Sequence, residues 1–123
     1  MGTVLDTNVI IEVARGNESV LKKVLSVDTH FYITTITSFE ILVGAPKLKE
    51  MGLLNSLERL PFDGRSAEVA ADIYKKIKKN GKMMGIRDLF IGSICIAHKL
   101  LLATMDRDFE LLKKFGLDLV LVG

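Results

Sequence analysis

Thr3-Val4-Leu5-Asp6-Thr7-Asn8-Val9-Ile10-Ile11 runs from a short apolar stretch straight into a helical one, with Asp6 at the junction. Val4 and Leu5 read as a buried strand. Asp6, Thr7 and Asn8 are three helix N-cap candidates in a row. Val9, Ile10, Ile11 and Val13 continue as a mostly apolar helix, stopped by Gly16-Asn17. A strand that feeds a helix through a polar junction is the opening unit of an α/β fold.

The rest of the chain repeats the alternation. Val20, Leu21, Val24, Leu25 and Val27 follow the i, i+3, i+4, i+7 helical spacing. Phe31-Tyr32-Ile33-Thr34 is β-rich and reads as strand two. Thr37 is expected to cap a helix with a body from Ser38 to Val43, ended by Gly44-Ala45-Pro46. A further helix is expected from Lys47 to Leu57. Leu60-Pro61-Phe62 reads as a short strand, which Pro61 confines to a sheet edge. After a turn at Asp63-Gly64, Ala67 to Lys79 forms a long amphipathic helix with Val69, Ala70, Ile73, Tyr74 and Ile77 inward. A glycine-bounded loop, Asn80 to Gly85, leads to a nearly all-apolar helix that opens at Asp88. Leu100 to Thr104 is a strand, Phe109, Leu111 and Leu112 lie on a short helix, and Leu119 to Val122 is the last strand. Such alternation predicts a parallel sheet with helices on both faces.

At 123 residues, 49% hydrophobic and 26% charged, the chain reads as a single domain, residues 1–123, with a real core. No apolar run approaches the ~18 residues of a membrane span, and the N-terminal stretch lacks the basic start of a signal peptide. One cysteine, Cys95, excludes an intrachain disulfide and a cysteine-based zinc site. A cytoplasmic location is expected.

Four acids stand out by position. In an open α/β sheet, sites form beyond the carboxyl ends of the strands. Asp6 ends strand one, and Asp106 lies two residues after strand four. Glu40 is early in the helix after strand two, and Asp88 opens the helix that runs back toward strand four. Each acid has a structural reading too: Asp6 and Asp88 as N-caps, Thr37-x-x-Glu40 as a capping box, Asp106 as turn chemistry. None of these explains why all four converge on one rim. Crowded carboxylates repel unless a cation is present. Hard oxygen donors favour Mg²⁺ or Mn²⁺ over zinc, and such an ion promotes phosphodiester hydrolysis. With the four acids set aside, 17 basic residues face the remaining 11 acids, a balance suited to a polyanion. Lys75, Lys76, Lys78, Lys79, Lys82 and Arg87 lead toward Asp88, either as a solvated face or as contacts to a nucleic-acid backbone; Lys79, Lys82 and Arg87 are the backbone candidates.

Other chemistries fit less well. His30 falls in a turn and His98 ends a helix, so neither offers a nucleophile its base. Cys95 reads as a small core residue. The glycines Gly81 and Gly85 lack the spacing of a phosphate-binding loop. Phe39, Phe90, Phe109, Tyr32 and Tyr74 read as packing residues.

Asp6-Thr7-Asn8 after the first strand, Glu40 in Ser38-Phe39-Glu40-Ile41-Leu42-Val43-Gly44, Asp88 in Gly85-Ile86-Arg87-Asp88-Leu89-Phe90-Ile91, and Thr104-Met105-Asp106-Arg107-Asp108-Phe109 together resemble the PIN domain, in its small VapC-type toxin branch. The likeness spans the whole chain. It implies a three-layer α/β fold with a five-stranded parallel sheet in order 3-2-1-4-5. It also implies an endoribonuclease of a toxin–antitoxin pair, dependent on one or two Mg²⁺ or Mn²⁺ ions, usually a homodimer with a cognate antitoxin. Asp6, Glu40, Asp88 and Asp106 would be the acidic quartet. Asn8 and Thr104 would orient carboxylates, and Asp108 is an auxiliary acid that competes with Asp106 for the fourth place. Gly92-Ser93 stands where the family usually has two alanines, a departure that bears on helix packing.

Two rival functions are distinguishable. A phosphoacceptor receiver domain shares this size and layering, but Asp6 is followed by Thr7, and no lysine follows Thr104 until Lys113. A non-catalytic RNA- or protein-binding module on the same fold is the other, and Mg²⁺ titration separates it from a nuclease. For a dimer surface the sequence offers the apolar side chains of Val20 to Val27 and Leu48 to Leu57.

Overall fold

A computed structural model describes every residue except Met1, Met51 and Leu53. Among the described residues, five strands, β1 (Thr3–Leu5), β2 (Phe31–Thr34), β3 (Glu58–Leu60), β4 (Leu101–Thr104) and β5 (Leu119–Leu121), form one parallel sheet in the order β3-β2-β1-β4-β5. The order is the one the resemblance implied. β1 sits at the centre, with Leu5 paired to Ala103 on β4 and Val4 paired to Tyr32 on β2.

The α-helices among the described residues are α1 (Thr7–Ala14), α2 (Glu18–Val27), α3 (Thr35–Gly44), α4 (Lys47–Glu50), α5 (Gly64–Lys79) and α6 (Ile86–His98). Successive side chains of a strand point to opposite faces, and this divides the core in two. Val4 and Leu102 pack with Ile73 and Ile77 of α5 and with Leu89, Ile91 and Cys95 of α6. Leu5, Ile33 and Ala103 pack on the other face with Val9 and Ile10 of α1, Val20 and Val24 of α2 and Ile41 of α3. The result is a three-layer sandwich. Helix α6 is the most enclosed, with Leu89 and the run Ile91 to Cys95 all buried, as its apolar composition predicts.

Several local expectations need correction. Helix α3 starts at Thr35, two residues before the expected cap. Its N-cap is Thr34, whose hydroxyl accepts from the Thr37 amide at 3.1 Å. The threonine run Thr34-Thr35-x-Thr37 offers several capping hydroxyls, and the end of β2 selects the first. The helix expected over residues 47–57 is split into α4 and a 3₁₀ turn at Leu54–Ser56; Met51 and Leu53 lie outside the described residues. The edge strand falls on Glu58–Leu60, so Pro61 follows it and needs no ladder partner. Asp63 is a helix cap, accepting from the Ser66 amide at 2.9 Å, so α5 begins three residues earlier than its apolar pattern indicates. Asp88 is not a cap: Gly85 holds that position and Asp88 lies in the first turn of α6. Arg107–Phe115 is 3₁₀ helix. Phe39 and Tyr74 are exposed, against the expectation that they pack inside.

Candidate active site

β1 and β4 are neighbours and parallel, so their carboxyl ends share one rim. Asp6 leaves β1 there. Its amide donates to Ala103 O at 3.0 Å, and its carbonyl accepts from Val9 and Ile10. The side chain is fully buried, with Oδ1 accepting from the Thr7 amide at 2.8 Å and Oδ2 from the Thr104 hydroxyl at 2.7 Å. A buried carboxylate needs such donors. Thr104, the last residue of β4, also accepts from the Asp106 amide at 3.1 Å, so one hydroxyl ties both acids to the strand end. Asn8 Oδ1 accepts from the Met105 amide at 3.3 Å, which pins the start of α1 to the loop after β4.

Glu40 approaches from α3 and Asp88 from α6. Between them and Asp6 lies Arg87. Its Nη2 donates to Asp6 Oδ1 at 2.7 Å, its Nε to Glu40 Oε2 at 2.6 Å and its Nη1 to Asp88 Oδ1 at 2.5 Å. The Thr7 hydroxyl lies in the same array, 2.6 Å from Glu40 Oε1, 3.1 Å from Thr37 Oγ1 and 3.2 Å from Arg87 Nη2. Glu40 therefore does not close a capping box; its carboxylate points away from the start of α3 toward Arg87 and Thr7. Burial opposes the charge on Arg87, yet its bonds to Glu40, Asp6 and Asp88 outweigh that and hold the guanidinium protonated more firmly than usual.

Asp88 also faces outward along the rim. Carboxylate oxygens of Asp88, Asp106 and Asp108 all lie within 4.8 Å of one another. Asp106 caps the 3₁₀ helix, with Oδ1 accepting from the Asp108 amide at 2.9 Å, and this turn carries Asp108 to the same place. Burial pushes the Asp88 carboxyl above its ordinary range; Arg87 pulls it back, and the charges of Asp106 and Asp6 push it up again. The acids and the threonine hydroxyls beside them offer hard oxygen ligands, the kind that suits a divalent cation.

All four acids thus reach one rim, with Asp108, Asn8 and Thr104 beside them. Lys79 and Lys82 are exposed, Lys79 at the end of α5 and Lys82 in the loop that follows. Lys82 and Lys78 edge a cavity of about 270 Å³ lined by Tyr74, Ile77, Met84 and Leu89, which none of the acids borders. Arg87 departs from expectation: it lies on the acids, with its side chain 34% exposed. Thr7, Thr37 and the central place of Arg87 do not emerge from sequence reasoning. The signal that could have found them is a base and a hydroxyl each adjacent in sequence to a candidate acid, Arg87 to Asp88 and Thr7 to Asp6.

Residues 3–114 match the model of the PIN domain, and the chain belongs to that family. It is 45% identical over 94 residues to ribonuclease VapC3 of Methanocaldococcus jannaschii, a match covering 76% of this chain and 98% of that protein. It is 30% identical over 122 residues to the ribonuclease VapC of Rickettsia bellii, covering 89% and 90%. Among solved structures, FitAcB from Neisseria gonorrhoeae superposes with a TM-score of 0.81 at 28% identity over 95% of both chains. DNA-bound VapBC from Salmonella typhimurium superposes at 0.84 with 22% identity over 100% and 99%, a likeness of fold.

Proposed function

We propose that the protein is a divalent-metal-dependent endoribonuclease, with Mg²⁺ or Mn²⁺ as the ion, and the toxin of a toxin–antitoxin pair. The observation that carries the reading is the meeting of Asp6, Glu40, Asp88 and Asp106 at the end of β1 and β4. Relatives named as ribonucleases cover most of the chain, and solved structures of the same fold include ones described as toxin–antitoxin systems. No helix among the described residues is long and apolar enough to cross a membrane. The site of action would be the cytoplasm, where an enzyme acting on cellular RNA meets its substrate.

Asp6, Asp88 and Asp106 would hold the ion, with Glu40 and Asp108 at its border. When bound, the ion offsets phosphate charge and makes a water more acidic. The protein's own part is positional. Thr104 fixes one oxygen of Asp6 and the amide of Asp106, so two acids keep their separation without rearrangement. Thr7 holds one oxygen of Glu40 and leaves the other facing the rim. Asn8 anchors the loop that delivers Asp106. Lys79 and Lys82 are exposed charges for the RNA backbone. A homodimer and an antitoxin would cover apolar surface. The expected α2 residues Val20 and Val24 are buried, and the most exposed apolar side chain there is Leu25, with Phe39 and Val43 of α3 beyond it.

Asp6→Asn is the direct test. The amide keeps an oxygen for the Thr7 N–H and removes the charge. We expect Mg²⁺-dependent cleavage of mixed RNA to fall at least ~100-fold, a loss of ~2.7 kcal/mol in transition-state stabilisation, with an unchanged circular dichroism spectrum. Undiminished cleavage by that variant, or by the wild type in EDTA, would rule the reading out.

A further inference from the structure

The pattern of α5 turns Ile73 and Ile77 into the core, but Tyr74 between them stays 46% exposed. Tyr74 stands between two hollows lined by both α5 and α6. One is the cavity of about 270 Å³ edged by Lys78 and Lys82. The other, of about 410 Å³, is walled by Phe62 and Phe90, whose rings stack with centroids 4.1 Å apart. Tyr74 and Leu89 border both hollows. Volumes of this size are on the scale of small-molecule sites, ~300–1,000 Å³, and so suit a planar ring better than a whole helix. Lysines line the two: Lys75 the second, Lys78 and Lys82 the first. Among the described residues no acid borders either.

We infer that this face of α5 and α6 is the track for single-stranded RNA, with Tyr74 as the platform on which a base stacks. The inference rests on reading the chain as a ribonuclease and adds where the substrate lies. Binding of a single strand without regard to sequence combines a cationic groove with bare aromatic faces. Helix α5 supplies both within about one turn, Tyr74 beside Lys75 and Lys78. Met83, 93% exposed at the edge of the first hollow, adds a polarizable thioether that favours contact with a ring. Leu89 follows Asp88 on α6, and the Asp88 carboxylate stands with those of Asp106 and Asp108. The hollows therefore begin ~1.5 Å along the helix axis from a candidate metal ligand, so a strand seated on Tyr74 passes close to the rim. A second copy of this chain is the other occupant that an apolar groove invites. An isologous pairing here would set the lysines of one copy against the same lysines of the other, with no lining acid to separate them.

The chain has two tyrosines and no tryptophan, so its emission reports on Tyr74 and on the half-buried Tyr32. The test titrates the full chain, carrying Asp6→Asn to prevent cleavage, with a short oligoadenylate. Bound RNA should quench the tyrosine emission. With Tyr74→Phe added, the ring still stacks, so affinity should stay within ~2-fold while the quenching disappears. With Tyr74→Ala, affinity should fall at least ~5-fold, the loss expected for one base–aromatic stack. Its salt dependence should keep the same slope, because the ring carries no charge, whereas Lys78→Ala should flatten the slope by ~0.7. Equal affinity in Tyr74→Ala, or emission indifferent to bound RNA, overturns the track. The nuclease reading then still stands on metal-dependent cleavage by the wild type. A dimer that Tyr74→Ala converts to monomer in sedimentation assigns the groove to a second copy and overturns the track as well. No RNA binding by any form, together with no cleavage by the wild type, overturns both. If Tyr74→Ala does not fold, the quenching and its loss in Tyr74→Phe decide alone.

Discussion

The Thr104 hydroxyl donates to Asp6 Oδ2 and accepts from the Asp106 amide, so a single oxygen sets the spacing of two candidate ligands. Valine has the same shape and neither hydrogen-bonding function. Thr104→Val leaves a buried carboxylate oxygen and a partly buried N–H without partners. The cost expected is ~1–3 kcal/mol, measured by urea unfolding in EDTA. Thr104→Ser should recover most of it. Cleavage should fall with the valine and return with the serine, because Asp6 is then held again by both oxygens. Asp6 was legible as a residue of interest because it ends an apolar run at a strand–helix junction, whereas Thr104 stood out only through the family resemblance. Arg87 was legible only as a positive charge. Its sequence neighbours say nothing about Glu40, which is 47 positions away and reaches it only because α3 and α6 meet at one rim.

At the scale of elements, α6 packs on the 3₁₀ helix Arg107–Phe115 through Gly92. A Cβ at Gly92 would collide with Leu112 Cδ1, and Phe109 lies close behind. Both side chains are fully buried, so the leucine has little room to yield. Alanine gains ~1 kcal/mol of helix propensity over glycine, and overpacking costs ~1–3 kcal/mol. We therefore expect Gly92→Ala to lower stability by ~1 kcal/mol in denaturant titration. In a Leu112→Ala background the collision is gone, and the same change should become neutral or stabilising. A double-mutant cycle with no coupling would show that the two positions do not meet. The sequence marks Gly92-Ser93 as a packing departure but cannot name its partner, because the contact joins elements on either side of β4. Helix starts are hard to place for a related reason. Thr34, Asp63 and Gly85 are all plausible among several neighbours, and the adjoining strand or loop decides which one adopts the extended cap conformation.

Taken as a whole, the molecule gathers acids at one rim and strings lysines along α5. Lys75, Lys76, Lys78, Lys79 and Lys82 are all exposed on that helix and the loop after it. If the protein binds RNA through these charges, affinity must fall with salt. With Asp6→Asn to prevent cleavage, binding of a single-stranded RNA should weaken linearly in log–log form. Replacing Lys79 and Lys82 by alanine should flatten the slope by about 1.4, at ~0.7 for each phosphate of a single strand that is no longer neutralised. The weakening should be similar for RNAs of different sequence, since backbone contacts carry no base information. An unchanged slope would place the RNA path away from α5.

The sequence alone determined the alternation of strand and helix and the parallel sheet, because these follow from local periodicity, and it marked candidate acids by their places after strands and near helix starts. It also determined that α6 would be buried, since from Leu89 to Ala97 every side chain but Ser93 is apolar. Only the tertiary structure decided what the acids face. Asp6, Glu40 and Asp88 come from separate segments, and their oxygens converge on Arg87 through side-chain directions set by the packing of α3 and α6 against β1. Periodicity records which side of an element is buried. It does not record which charges from three different elements will have to share one small space.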